Sequence, residues 1–518
     1  RRQRRRDRPV GRAAIAAMEQ GGSAADGAIA AALTAGVVSP VSSGMGGGGF
    51  AMVLDAATGK VTVLDFRESA PAAYDADAAD AKDAPTGTSV GVPGEVAGLF
   101  ELHRRHGRRP WATTVEEVAR LAEQGFTLTP HMARALAKMG KAVPPGTMTA
   151  ALLPGGTPLT AGATLREPVL AASLREVAKF GPTGFYGGRI GRSFVATARR
   201  AGSTLTEADL TGYKVIEREP LHIRWGEHDV YAMPPPSAGG LMLMQALAMF
   251  SPAEAARELD PTKPAGAHTL AEVFRGAMAD RTRTVGDPGL TPVDTGALLD
   301  PARLRARRQG IASDRTRPVA SFVREDHGTS HLVVSDAQGN VVSLTTTVNS
   351  PFGARVRDED TGLVLNDELH DFIRPAAVAA LGLATIPGSG RPGARPPSSM
   401  TPVIARGPAG DLVSLGGSGG MRIATSVTLV TLGMLASGLG AEEAVKRPRV
   451  HIAQDGSLLL EPGAMTADER ADLERRGEKV REEEAMNGVQ ALRRGPRVEA
   501  AADPRKFGLA VRRAKSGS

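Results

Sequence analysis

The sequence predicts an α+β fold, in which helices and strands gather in different stretches of the chain instead of alternating. Three observations carry this expectation. Apolar positions at helical spacing dominate roughly residues 90–290. From residue 329 onward strand patterns take over, in an opening hairpin and then in 361–366, 401–406 and 411–415. Nearer the amino end, apolar runs at 50–55 and 61–67 flank the turn Thr58-Gly59-Lys60.

Residues 9–38 read as two helices split by Gly21-Gly22, with Ser23 as the N-cap of the second. That second helix, around 24–37, is rich in alanine and suits close packing. The run Ser42-Ser43-Gly44-Met45-Gly46-Gly47-Gly48-Gly49-Phe50 leads into the first strand, and its glycines let two backbones pass closely. Helical spacing follows at 95–105, 115–123, 132–138, 241–250 and 269–282. Residues 300–328 are charged and poor in apolar anchors, so an exposed, processable segment is expected there. Helices resume at 422–435 and 467–476, and the Gly/Pro-rich stretch 376–397 is the lid or linker candidate. No internal repeat is present.

At 518 residues, 42% hydrophobic and 23% charged, the chain has the make-up of a globular protein with a sizeable core. With no cysteine, disulfides and thiolate chemistry are excluded. The net charge of +7 raises the question of nucleic-acid binding. Much of the excess, however, sits in Arg1, Arg2, Arg4, Arg5, Arg6 and Arg8, which read as a solvated tail. No zinc-finger spacing or aromatic-basic signature accompanies them, so no nucleic-acid partner is expected. No apolar run is long enough for a transmembrane helix. The residues after Arg8 are too polar for the core of a signal peptide.

Chemistry concentrates in Gly328-Thr329-Ser330-His331, followed after a short turn by Ser343-Leu344-Thr345-Thr346-Thr347-Val348-Asn349. A threonine hydroxyl is a weak nucleophile until backbone cleavage frees an α-amine beside it, which titrates near 7.7–8.0 and can serve as its base. Gly328 leaves its own carbonyl open to attack by the Thr329 hydroxyl. Taken alone, the same residues also read as a β-hairpin with a threonine-rich face.

A rival nucleophile lies in Gly416-Gly417-Ser418-Gly419-Gly420, which satisfies G-x-S-x-G between a strand and a helix, with His451 downstream. The interval from Ser418 to His451 is too short for the crossovers that arrangement needs. The glycines also suit an oxyanion site, with the Gly419 and Gly420 amides at a helix start. Gly388-Ser389-Gly390-Arg391-Pro392-Gly393 fits a dinucleotide string but follows no strand and reads as loop. His103-Arg104-Arg105-His106 lies on a charged helix face, where no metal ligand is expected.

Further strings add to these: Gly21-Gly22-Ser23-Ala24-Ala25-Asp26, Asp65-Phe66-Arg67-Glu68-Ser69-Ala70-Pro71, Gly91-Val92-Pro93-Gly94, Pro236-Ser237-Ala238-Gly239-Gly240, Ala279-Asp280-Arg281, Gly286-Asp287-Pro288, Pro396-Pro397-Ser398-Ser399-Met400 and Asp503-Pro504-Arg505. In this order, over nearly the whole chain, the sequence resembles the gamma-glutamyltransferase (gamma-glutamyltranspeptidase) family of the N-terminal nucleophile hydrolase superfamily. The resemblance implies a four-layer αββα fold, made as a precursor that cuts itself before Thr329. A large subunit, 1–328, and a small one, 329–518, would stay together. It implies transfer of a γ-glutamyl group from a glutathione-like donor to water, an amino acid or a peptide through an acyl-threonine.

By the same resemblance Thr329 is the nucleophile, and Thr347 hydrogen-bonds its amine and hydroxyl. Asn349, Glu368 and Asp371 hold the donor's α-amine. Arg67 binds the α-carboxylate with Ser398 and Ser399 assisting, and Gly419 and Gly420 supply the oxyanion amides. The chemistry agrees: an ammonium calls for acids and a carboxylate for an arginine fork. No metal or organic cofactor is called for, and the location implied is periplasmic or secreted.

Three features depart from the family pattern. The acidic pair usual before the phenylalanine reads His370-Asp371-Phe372, the usual second asparagine after Asn366 is Asp367, and the 376–397 stretch holds no aromatic residue. These bear on substrate more than on mechanism. Relatives processed in the same way act on cephalosporin side chains or on poly-γ-glutamate. The remaining alternatives are a Ser418 hydrolase and an uncleaved, catalytically silent binding protein.

Overall fold

Two antiparallel sheets pack face to face in the computed structural model, which describes residues 9–139, 152–318, 328–484, 487–506 and 508–512. Their strands, in chain order, are β1 Gly48–Leu54, β2 Val61–Phe66, β3 Ile216–Arg218, β4 Leu221–Trp225, β5 His228–Ala232, β6 Gly328–Ser335, β7 Val341–Asn349, β8 Val403–Arg406, β9 Leu412–Ser418, β10 Gly488–Arg494 and β11 Val498–Ala502. The first sheet runs in the order β3-β2-β1-β7-β6 and the second in the order β11-β10-β9-β8-β5-β4.

Helices cover both outer faces. On the first sheet lie α1 Ala24–Val38, α2 Glu95–His106, α3 Trp111–Gln124 and α4 Pro168–Phe180. On the second lie α5 Gly239–Met249, α6 Pro264–Thr284 and α7 Arg422–Leu435. Side-chain alternation along β1 divides the two cores. Ala51 and Val53 join the helices α1–α4, whereas Phe50, Met52 and Leu54 join the core that holds the second sheet. With both faces covered, every residue of β1 and β7 is buried. The result is the expected four-layer αββα sandwich.

Local chemistry explains the elements that anchor it. Ser23 and Asp26 form a reciprocal capping box at the start of α1. The alanines of α1 let it lie buried along nearly its whole length. A Cβ on Gly47 would stand 2.0 Å from the Thr347 carbonyl oxygen, so only glycine admits this approach of the segment entering β1 to β7.

Two expectations need correction, and the segment 300–328, mostly exposed or half-buried over 301–318, is described only in part. The middle of the chain is not helical throughout: residues 216–232 supply β3, β4 and β5, which finish both sheets. Leu221, Ile223 and Trp225 alternate with His222 and Arg224, a period of two that the surrounding helical runs outweigh. The strand expected over 361–366 shrinks to Leu363–Val364, because Asp358 accepts a hydrogen bond from the Thr361 hydroxyl at 2.7 Å and holds a turn. Residues 300–328 begin with the helix Pro301–Gln309; 319–327 lie outside the described residues.

Both sheets mix residues from before and after position 328. Strands β1 and β7 share a seven-residue register, and β5 pairs with β8. Among the described residues no helix is long and apolar enough to cross a membrane.

Candidate active site

Strand β6 begins at Gly328 and pairs with β7, but the register slips: Gly328 lies opposite Asn349 and Ser330 opposite Thr346. Thr329 therefore faces two residues, Thr347 and Val348, at a β-bulge, a device that re-aims side chains near active sites. The Thr347 hydroxyl accepts a hydrogen bond from the Asn349 amide at 2.8 Å. Its own proton is thereby directed onto the Gly328 carbonyl oxygen, 2.5 Å away. Asn349 has φ +73°, a left-handed conformation that asparagine tolerates better than most residues.

Thr329 opens onto a pocket of about 340 Å³ that it shares with Arg67, Arg281, Thr347, Asn349, Glu368, Asp371, Ser398, Ser399 and Gly420. Met400, Met421 and Ile423 supply its apolar wall. Nine of the ten catalytic and binding residues expected from sequence thus meet in one place. The tenth, Gly419, adjoins Gly420 between β9 and α7; the two have φ +129° and +61°, a turn suited to glycine.

Arg67, fully buried, is gripped by the two acids that the resemblance assigns to the donor's α-amine. Nη1 pairs with Glu368 and Nη2 with Asp371 at 2.5 Å, while Nε and Nη2 donate to the Pro396 and Pro397 carbonyls at 3.2 and 3.0 Å. Burial opposes the charge, but Glu368 and Asp371 outweigh it and hold the guanidinium above its usual range. Arg67 is placed by Asp65, which accepts its backbone N–H at 2.9 Å and pairs with Arg218 and Arg395.

Glu68 lies behind this group. Neither of its carboxyl oxygens, nor Glu368 Oε2, meets a donor among the described residues. Burial pushes Glu68 up to about 7 and Glu368 well above the carboxylate range.

Ser418 lies within the second sheet opposite Gly488, and His451 Nδ1 contacts the Thr425 hydroxyl at 2.9 Å. Ser418 does not line the pocket that holds Thr329. Asp367 is also buried away from that pocket. It accepts from the Ser350 amide at 2.8 Å and contacts His370 Nδ1 at 3.0 Å. The non-aromatic stretch 376–397 has an aromatic neighbour from elsewhere: Tyr74 packs on Phe372 and beside Gly390. Sequence reasoning did not single out Arg281 or Glu68 as site residues. Both stood inside quoted motifs, but nothing local signalled their burial.

The profile of the gamma-glutamyltranspeptidase family matches residues 11–512. The chain is 36% identical over 451 residues to glutathione hydrolase 3 of Arabidopsis thaliana, covering 84% of this chain and 70% of the relative. It is 32% identical over 511 residues to the glutathione hydrolase proenzyme of Escherichia coli, covering 94% and 87%. In structure it is similar to a cephalosporin acylase from Bacillus halodurans (TM-score 0.84, 24% identity, covering 96% and 93%). It is also similar to a gamma-glutamyltranspeptidase chain from Helicobacter pylori (TM-score 0.56, 27% identity, covering 60% and 92%). With the fold and nearly the whole sequence in agreement, the chain belongs to the gamma-glutamyltranspeptidase family, within the N-terminal nucleophile hydrolases.

Proposed function

We propose that this chain cleaves itself between Gly328 and Thr329, and that the freed Thr329 then transfers γ-glutamyl groups from glutathione-like donors to water, amino acids or peptides. The observation that carries the reading is the bulge at Thr329, with the Thr347 hydroxyl proton aimed at the Gly328 carbonyl oxygen. In the first reaction the Thr329 hydroxyl attacks that carbonyl, and negative charge develops on the oxygen that Thr347 already faces. Collapse moves the acyl group from nitrogen to oxygen. That shift breaks the C–N bond and frees the Thr329 α-amine; water then hydrolyses the ester, releasing the Gly328 carboxylate and restoring the Thr329 hydroxyl.

In turnover, that amine takes the hydroxyl proton as Thr329 attacks the donor's γ-carbonyl. The oxyanion is received by the Gly419 and Gly420 amides at the start of α7. The tetrahedral adduct expels the donor's amine, which leaves with the proton, and an acyl-threonine remains. Whichever nucleophile reaches this ester first decides between hydrolysis and transfer. Asn349, Glu368 and Asp371 take the donor's ammonium. Ser398, Ser399 and the one Nη1 N–H of Arg67 not engaged by Glu368 take the carboxylate. Residues 1–328 and 329–518 remain associated as large and small subunits through the mixed sheets. A periplasmic or secreted location follows from the family and is tested by cell fractionation.

The function is tested with a chromogenic γ-glutamyl anilide. The purified protein turns it over, and Thr329→Ala abolishes both chain cleavage and turnover. A Thr329→Ala protein that still released the chromophore would overturn the assignment.

A further inference from the structure

The ladder between β9 and β10 ends at Ser418 and Gly488, and the next residue on each side, Gly419 and Asn487, meets the other. A Cβ on Gly419 would lie 2.5 Å from the Asn487 Cβ, so Asn487 fills the space that a side chain on Gly419 would take. Asn487 is fully buried. Its carboxamide reaches the opening turns of α7: Oδ1 accepts from the Ser426 hydroxyl at 2.6 Å, and Nδ2 donates to the Arg422 carbonyl at 3.3 Å. Between them the Gly420 carbonyl accepts from the Ile423 amide at 3.0 Å. The peptide from Gly419 to Arg422 is thus held at both ends by one side chain.

Asn487 is itself fixed. Arg449, 1% exposed, donates through Nη1 to the backbone carbonyl and to Oδ1 of Asn487, at 2.9 and 3.1 Å. Asp503 pairs with Arg449 Nη2 and accepts from the Val489 and Arg505 amides at 2.9 and 3.0 Å. The string Asp503-Pro504-Arg505 lines no part of the pocket that holds Thr329, yet through Arg449 and Asn487 it reaches the glycine turn beside that pocket.

This support falls where the chain is most pliant. Consecutive glycines have a wide choice of conformations, and among the described residues no group accepts a hydrogen bond from the Gly419 or Gly420 amide. The aim of these amides therefore depends on what the turn leans against. Preorganised donors stabilise an oxyanion because they need no reorientation during the reaction, and a displacement of about 1 Å costs about 100-fold in rate.

Resting on the γ-glutamyl reading above, we propose that Asn487 is a positioning residue for turnover: pinned by Arg449 and Asp503, it holds the Gly419–Gly420 turn with its amides toward the oxyanion formed from the donor's γ-carbonyl. Self-cleavage does not draw on it, since there the charge develops on the Gly328 oxygen that Thr347 faces.

A γ-glutamyl p-nitroanilide assay, read beside the precursor band on a denaturing gel, separates this role from a merely structural one. Acylation and deacylation both pass through the oxyanion, so kcat carries the effect. Asn487→Ala should cleave itself at a rate within about threefold of wild type, lose kcat on the order of 100-fold and keep KM within about threefold. An analogue of glutamate with a boronic acid in place of the γ-carboxyl forms a tetrahedral anion on Thr329, and its affinity should fall with kcat. Glutamate itself should bind as it does to wild type. Asn487→Asp keeps the acceptor contacts with Ser426 and Arg449 and loses the donation to Arg422; it should cleave itself normally and lose kcat about tenfold, and it decides the matter if the alanine variant does not fold. Wild-type kcat in either variant, or self-cleavage of Asn487→Asp that falls in step with its turnover, overturns the proposal. Wild-type protein inert toward the anilide would instead sink the γ-glutamyl reading on which the proposal stands.

Discussion

Replacing Thr347 by valine removes one hydroxyl and keeps the side chain's shape, so it isolates the contact on which self-cleavage depends. Two interactions go with that hydroxyl. The first is the hydrogen bond to the Gly328 carbonyl at 2.5 Å, the oxygen on which negative charge develops when Thr329 attacks. Losing one oxyanion donor slows such reactions by about 100- to 1000-fold, or about 3–4 kcal/mol of barrier. The second is the bond accepted from the Asn349 amide at 2.8 Å, whose loss leaves a buried N–H unsatisfied and lowers stability by about 1–3 kcal/mol. Thr347→Val should therefore accumulate as full-length precursor, while Thr347→Ser, which keeps the hydroxyl, should process within about tenfold of wild type. A time course of precursor on a denaturing gel measures both, and thermal denaturation of the precursors checks the stability term. Processing of Thr347→Val at the wild-type rate would refute the reasoning. So would equal slowing by serine and valine, which would assign the effect to shape instead of the hydroxyl.

Further outcomes follow from the buried charges and the tight backbone approach. His268 Nδ1 and Nε2 face Glu478 and the Ala312 carbonyl at 2.7 and 2.8 Å, so both nitrogens must donate, and the group is raised above its usual 6.5 despite burial. The stability it lends across the 1–328/329–518 division is full below pH 6.5 and is lost as pH rises through the raised value. His268→Gln should be less stable by roughly 2–3 kcal/mol at pH 6 and lack this slope in a plot of Tm against pH; an unchanged slope would exclude the pairing. Glu68, held at about 7 by burial, keeps its proton when folded while the unfolded chain releases it near 4.5. Folding therefore loses stability as pH rises between those values. Glu68→Gln should gain on wild type by up to roughly 3 kcal/mol from pH 5 to 8; a pH-independent difference would contradict this. Gly47→Ala, with its Cβ 2.0 Å from the Thr347 oxygen, should cost at least about 2 kcal/mol and slow self-cleavage. Wild-type Tm and processing would show that the segment yields freely.

What the sequence made legible was local or periodic. The capping box at Ser23, the hairpin of β1 and β2, the paired strands around Thr329 and helix α7 all announced themselves through caps, turns and alternation. The site residues were legible only as an ordered set of short strings, since Arg67 meets Glu368 and Asp371 across 301 and 304 positions. No spacing rule reaches that far. Arg281 stayed hidden for a related reason. An arginine near the end of a helix reads as a favourable surface cation, and only the packing of α6 beneath Ser398 and Ser399 makes it a buried one. The strands at 216–232 were missed because each is short and the segment lies inside a long helical context. Their alternation was present in Leu221, Ile223 and Trp225.

The proposed activity depends on the breaking of a single peptide bond, which intact-mass spectrometry of the purified, turnover-competent protein tests most directly. The expected spectrum contains two polypeptides whose masses meet at the Gly328–Thr329 junction, the lighter beginning with an unmodified threonine amine. Full activity from one unbroken chain would contradict it.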